Sequence, residues 1–205
     1  MPSYDPSTAL VIVDVQNDFA DAVGSLYVRG GEQVVPLNTA EIELAQAAGA
    51  QVFYTQDWHP ESTPHFAKDG GIWPVHCVID SWGAQLHQAL NVAGPIVRKG
   101  SNGEDGYSGF SMRDPASGAT QPTELAGLLA AAEITRLVVA GLATDYCVKA
   151  TVLDARSHGY PTTVLERAIR AVDLEPGDGE RAIEAMLAGG ALLESRRSDV
   201  AQTGG

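Results

Sequence analysis

Arg136 to Ala155 reads RLVVAGLATDYCVKATVLDA. Four apolar residues, Leu137 to Ala140, run into Gly141, and after a short break Val148, Val152 and Ala155 recur at i, i+4 and i+7. The pattern predicts a buried strand feeding a helix, with Thr144 placed to cap it. Cys147 then falls in the first helical turn, where free backbone N–H groups and the positive dipole end favour a thiolate. It is a candidate nucleophile. Read alone, it also fits a small buried hydrophobe, the commoner fate of a cysteine inside a protein.

The same alternation repeats on either side. Thr8 to Val15 is an apolar run interrupted only by Asp14, the pattern of a strand buried on both faces. Gln51 to Thr55 and Pro95 to Lys99 read as further strands, as do Pro161 to Leu165, where Pro161 suits only the start, and Ala191 to Leu193. Helical patterns lie between them. Val34 to Ala48 carries Leu37, Ala40, Leu44 and Ala47 on one stripe and stops at Gly49. Trp82 to Leu90 reads as a short helix, Leu125, Leu128 and Leu129 face another, and Asp178 to Ala188 places Ile183 and Leu187 one turn apart. Strands alternating with helices predict an α/β fold: three α/β/α layers, with a mostly parallel sheet of about six strands covered on both faces. One domain is expected over residues 1–205, with its core in 8–194 and a frayed tail in 195–205.

Composition narrows the partners. The 205 residues are 44% hydrophobic and 19% charged, as in an ordinary globular protein, and the formal net charge of −13 argues against nucleic acid or an anionic membrane as a partner. No basic, then apolar, leader pattern follows Met1, and no apolar run approaches the roughly 18 residues of a membrane span. Two cysteines, Cys77 and Cys147, are too few for a disulfide framework. The expected compartment is the cytoplasm, and a homo-oligomer is left open.

Two charged residues end apolar strands. Asp14 closes the first, where a carboxylate needs a cation or donors unless it only caps a loop, and Lys99 ends the third, either as a solvated cap or as the charge that Asp14 lacks. At the C-terminal rim of an open α/β sheet both would face the crevice where such sheets bind ligands. Phe19, on the loop after Asp14, is an aromatic on that rim. The long segment from Asp57 to Cys77 carries Asp57-Trp58-His59, then His65 and His76, so three of the five histidines share one loop with an acid. This set suits Zn²⁺, Mn²⁺ or Fe²⁺, and Trp73 lies close by in sequence. Surface histidines on a polar loop are the plainer alternative. Ser101 to Gly118 reads as a Gly/Ser-rich loop holding Tyr107-Ser108-Gly109-Phe110.

Together these stretches resemble the nicotinamidases, the pyrazinamide-hydrolysing amidases of the isochorismatase-like cysteine hydrolases. The motifs are Val13-Asp14-Val15-Gln16-Asn17-Asp18-Phe19, Gln56-Asp57-Trp58-His59-Pro60, Trp73-Pro74-Val75-His76-Cys77-Val78, Lys99-Gly100 and Gly141-Leu142-Ala143-Thr144-Asp145-Tyr146-Cys147-Val148, spread from about Ala9 to Leu193. The resemblance implies an Asp14–Lys99–Cys147 triad and metal ligands at Asp57, His59 and His76, with Zn expected and Mn or Fe as alternatives. It implies an oxyanion hole from the N–H groups of Ala143 and Cys147, with a cis peptide before Ala143. It also implies ring contacts from Phe19, Trp73 and Tyr107, and nicotinamide as the small-molecule substrate. One departure is visible: where many members carry a His-x-Ser-Phe element, this chain has Ser62-Thr63-Pro64-His65-Phe66. That leaves His65 as a direct ligand, a water-mediated ligand or neither.

Three other readings compete. Amidohydrolases of N-carbamoyl or maleamate-type substrates share the triad but generally lack the metal set. Isochorismatase proper lacks the cysteine nucleophile. A non-catalytic binding protein of this fold would not need every one of these positions.

Overall fold

The computed structural model describes residues 4–195. Residues 196–205 of the expected tail lie outside the described residues. In chain order the elements are β1 (Thr8–Val13), α1 (Asn17–Ala20), α2 (Gly31–Ala47), β2 (Gln51–Asp57), β3 (Ile96–Lys99), β4 (Ser111–Arg113) and β5 (Thr120–Pro122). They continue as α3 (Leu125–Ala131), β6 (Arg136–Leu142), α4 (Lys149–Ser157), β7 (Thr162–Arg170), α5 (Asp178–Ala188) and β8 (Leu192–Glu194). Six strands form one sheet in the order β3-β2-β1-β6-β7-β8, every neighbouring pair parallel. The expected α/β class and mostly parallel sheet are observed. No helix among the described residues is long and apolar enough to cross a membrane.

β1 shows why the sheet is central. Its residues are all buried, with Leu10 and Ile12 in one core cluster and Ala9, Val11 and Val13 in another. The first cluster includes Val34, Ile42 and Ala45 of α2, and the second includes Leu125, Leu129, Val152 and Met186 from α3, α4 and α5. Alternate side chains of one strand therefore meet helices on opposite faces. The chain steps outward from β1 to β2 and β3, then returns to β6 on the other side of β1. That reversal makes the C-terminal ends of β1 and β6 the switch point at which such sheets open a crevice.

Several local expectations fail for identifiable reasons. Trp82 to Leu90 is not helical. Its carbonyls are taken by the segment after β1: Asn17 N–H donates to Gln85 at 2.9 Å, Asp18 N–H to Gly83 at 3.0 Å, and the Gln16 and Gln56 side-chain amides to Ala84 at 2.8 Å each. The buried stripe of α2 is Val34, Asn38, Glu41, Ile42 and Ala45, and Leu44 is 44% exposed. Counting apolar residues misses this face because it carries two polar ones. Asn38 donates to the carbonyls of Val34 and Ala168, and Glu41 meets Tyr4 and Arg167. The Ser101–Gly118 loop contains β4, which pairs antiparallel with β5, and β7 runs on to Arg170, well past Leu165. Thr144 does not cap a helix: it lies inside a π-helical turn, Thr144–Val148, and Ala143 occupies the cap position.

Gly141 shows how tightly β6 approaches β1. Its φ is +117°, and a Cβ placed there would lie 2.1 Å from the Val13 carbonyl oxygen. Gly141→Ala is expected to cost roughly 3 kcal/mol from left-handed backbone and overpacking together, measured as a lowered thermal midpoint. An unchanged midpoint would refute this packing argument.

Candidate active site and metal centre

Sheet register assembles the charged cluster. Val13 pairs with Gly141, and Asp57 pairs with Lys99, so Asp14, Asp57, Lys99 and the turn after β6 share one rim. Lys99 is fully buried, and its Nζ lies 2.7 Å from Asp14 Oδ2 and 3.9 Å from Cys147 Sγ. The same ammonium contacts Asp57 Oδ1 and the Gly106 carbonyl. Asp14 is also fully buried, and its Oδ1 accepts a 2.6 Å hydrogen bond from the Thr55 hydroxyl. Ligand atoms of Asp14, Asp57 and Cys147 all lie within 4.8 Å of one another.

Two carboxylates sharing one ammonium cannot be equally satisfied. Burial pushes Asp14 up to about 6 against the pull of Lys99, and the charge on Asp57 adds to the rise. Burial opposes the Asp57 charge too, but Lys99 and the neighbouring histidines outweigh it and hold that carboxyl below its ordinary value. Burial also works against the Lys99 charge, yet the two carboxylates raise its pKa well above the usual lysine range. Cys147 corrects the expectation of a thiolate favoured at a helix start. It lies within the π-turn, and burial pushes its thiol well above the ordinary value despite Lys99. The resting group is a thiol beside a carboxylate able to take its proton.

The Leu142–Ala143 peptide is cis. The Ala143 carbonyl accepts from the N–H groups of Tyr146 and Val148, the residues on either side of Cys147.

A histidine cluster adjoins these groups. Ring nitrogens of His59, His65 and His76 lie within 4.8 Å of one another, and all three residues are buried. His76 Nδ1 is 2.7 Å from the Pro74 carbonyl, which can only accept, so that nitrogen carries the proton and Nε2 keeps its lone pair. Burial lowers His76 below its ordinary pKa and His59 to about 4, so both are neutral donors near neutral pH. Both ring nitrogens of His59 are buried without a hydrogen-bond partner, and Asp57 Oδ2 lies 3.9 Å from its Nε2. A buried orphan nitrogen among neutral imidazoles and a carboxylate fits a divalent metal. Gly100 makes room for this ring: its φ is +76°, and a Cβ there would come 2.5 Å from His59 Nδ1.

One cleft, about 370 Å³ with its mouth included, opens onto both groups and is lined by Cys147, Ala143, Asp57, His65 and His76. Phe19, Trp73 and Tyr107, the three aromatics expected there, line it too. Trp73 Nε1 donates to the Tyr107 hydroxyl at 2.8 Å, which locks the two rings together.

Residues 8–197 match the family model described as "Isochorismatase domain". The chain belongs to the isochorismatase domain family. Among its relatives, the nicotinamidase of Escherichia coli (strain K12) is 40% identical, the alignment covering 92% of this chain and 94% of that protein. The pyrazinamidase of Pyrococcus horikoshii, solved in complex with zinc, superposes with a TM-score of 0.83 at 35% identity, covering 93% of this chain and 100% of that one. The PnC1 protein of L. infantum, solved in complex with nicotinate, superposes with a TM-score of 0.84 at 35% identity, covering 95% of this chain and 96% of that one.

Within this isochorismatase domain, several site residues escape sequence reasoning. Thr55 precedes Asp57 by two and so shares its strand face, a signal that was available. Gln16 braces Asp57 through two 2.8 Å bonds, donating to its carbonyl and accepting from its N–H. Tyr146 packs edge-on against Trp73 at 4.7 Å, and Val172 joins the cleft wall. Val172 is held there by Asp145, whose carboxylate accepts the N–H groups of Val172 and Asp173, both at 2.9 Å. No local pattern marks Val172, because the contact that places it spans 27 residues.

Proposed function

We propose that this chain is a nicotinamidase, a cysteine amidohydrolase converting nicotinamide to nicotinate and ammonia through a thioester, and that it also accepts pyrazinamide. The observation that carries this reading is the opening of the Cys147 thiol and the histidine cluster into one aromatic cleft. Similarity to nicotinamidases over nearly the whole chain supports it. We place the enzyme in the cytoplasm.

Asp14 takes the thiol proton, and the Cys147 sulfur attacks the carboxamide carbon. Splitting amide hydrolysis through a thioester replaces one hard step by two easier ones. Lys99 keeps Asp14 ionised, and Thr55 holds its second oxygen. The N–H groups of Ala143 and Cys147 receive the tetrahedral oxyanion, at roughly 3–4 kcal/mol per donor in comparable sites. Asp14 returns its proton to the departing ammonia, and water then hydrolyses the thioester. Phe19, Trp73 and Tyr107 sandwich the ring and exclude water.

Asp57, His59 and His76 would hold one divalent ion, Zn²⁺ by preference, with His65 available beside them. When bound, the ion supplies a Lewis-acid anchor for the ring nitrogen of a pyridine or pyrazine carboxamide.

Ammonia release from nicotinamide, with and without chelator, tests the reading. No release by the metal-loaded protein would refute it. Stripping the metal is expected to raise KM by roughly tenfold or more, the loss of about 1.4 kcal/mol or more of binding. Alkylation of Cys147 by a small reagent should be unchanged. An unchanged KM would remove the anchoring role, and a slowed alkylation would show that the ion tunes the thiol instead.

A further inference from the structure

His65 and Asp105 stand 40 residues apart on different loops, yet His65 Nδ1 lies 2.8 Å from Asp105 Oδ1. Because a carboxylate accepts, this contact favours, in the neutral imidazole, the tautomer with the proton on Nδ1, which leaves Nε2 as the nitrogen with a lone pair to offer. The His65 ring stacks on His59 with centroids 4.8 Å apart and planes at 23°. Asp105 is itself anchored. It exchanges backbone hydrogen bonds of 2.8 and 3.0 Å with Arg113 of β4, and its Oδ2 lies 3.6 Å from the Arg113 guanidinium. A carboxylate held by its own strand pairing, and hydrogen-bonded to one nitrogen of a buried imidazole, is how proteins orient metal-ligating histidines.

We propose that Asp105 is a positioning residue of the metal centre: it fixes the ring of His65, already a candidate ligand beside Asp57, His59 and His76, with Nε2 free for the ion. The proposal rests on the metal-dependent reading above. It also gives the short β4–β5 hairpin a purpose, since β4 anchors Asp105 against the cluster.

The test uses the full chain, stripped of metal, in five forms besides wild type: D105A, D105N, H65A, the D105A/H65A double variant and R113A. Zn²⁺ affinity is read by competition with a chromophoric chelator, and the ligand field by the visible spectrum of the Co²⁺ form. D105A and H65A are each expected to weaken Zn²⁺ binding by roughly 10–100-fold. The double variant should bind no more weakly than H65A, because Asp105 acts through His65. The Co²⁺ spectrum of D105A should move toward that of H65A. D105N, whose amide oxygen still accepts from Nδ1, should recover part of the loss, and R113A should match wild type. Wild-type affinity in D105A or in H65A overturns the proposal, as does a D105A loss that adds in full to that of H65A. Should D105A fail to fold, D105L, which fills the space without an acceptor, carries the comparison, and wild-type Zn²⁺ affinity there overturns the proposal equally. Affinity does not depend on turnover, so failure to hydrolyse nicotinamide would refute the proposed function and leave this result standing.

Discussion

Cys147→Ala is expected to lower kcat/KM for nicotinamide by roughly 10⁴-fold or more, the scale seen when a nucleophile acting as part of a unit is removed. Folding and metal content should stay close to wild type. Cys147 is buried in the π-turn against Val148 and the second core cluster, so losing one sulfur atom there costs about 1 kcal/mol, the ordinary price of a core truncation. The two roles open to this cysteine separate cleanly. A buried hydrophobe would show its loss in the thermal melt, and a nucleophile shows it in turnover. Rapid-quench experiments should find a thioester in wild type and none in the variant. Retention of more than a few per cent of turnover would end the nucleophile assignment.

Lys99→Met is the second large effect, an expected drop of roughly 10²-fold or more in kcat/KM at pH 7, within the range for losing general-base function. In wild type Asp14 must be ionised to take the thiol proton, and its pKa is raised to about 6. Activity should therefore hold above that value and fall as pH drops through it. Lys99 is the main influence opposing burial of the Asp14 charge. Without it two adjacent buried carboxylates remain, and they cannot both ionise. Asp14, whose carboxyl burial already raises, takes the proton, and the acidic limb moves to higher pH. Breaking a buried pair typically destabilises by about 3–5 kcal/mol, but protonation of Asp14 removes the uncompensated charge and limits the loss. A pH–rate profile beside a thermal melt reads both effects. An acidic limb left in place would take Lys99 out of the mechanism.

Local sequence determined the layer plan, because hydrophobic periodicity is a short-range property. The unbroken apolar runs at Thr8–Val13 and Leu137–Ala140 could be buried only between two helical layers, and α/β architecture follows. Residue types at strand ends also marked Asp14, Lys99 and Cys147, and the Asp57–His76 loop marked a donor set suited to metal. The resemblance to nicotinamidases supplied their expected roles. Partnership was decided only in three dimensions. Lys99 meets Asp14 across 85 residues and Thr55 reaches it across 41, distances at which no pattern in the chain predicts a hydrogen bond. The same non-local bonds overrode local propensity where the two conflicted. The Gln16–Asp18 segment took the carbonyls that a helix at Trp82–Leu90 would have used, and partners on β7 and at Tyr4 let α2 bury Asn38 and Glu41 in place of Leu44. Tertiary structure likewise set the protonation of the site. Whether Cys147 rests as thiol or thiolate depends on burial and on two carboxylates from other strands, and His65 Nδ1 finds its partner in Asp105, 40 residues away. A chain's apolar rhythm is written in neighbouring residues, but the charge and hydrogen-bond partners that give a side chain its chemistry come from wherever the sheet brings them.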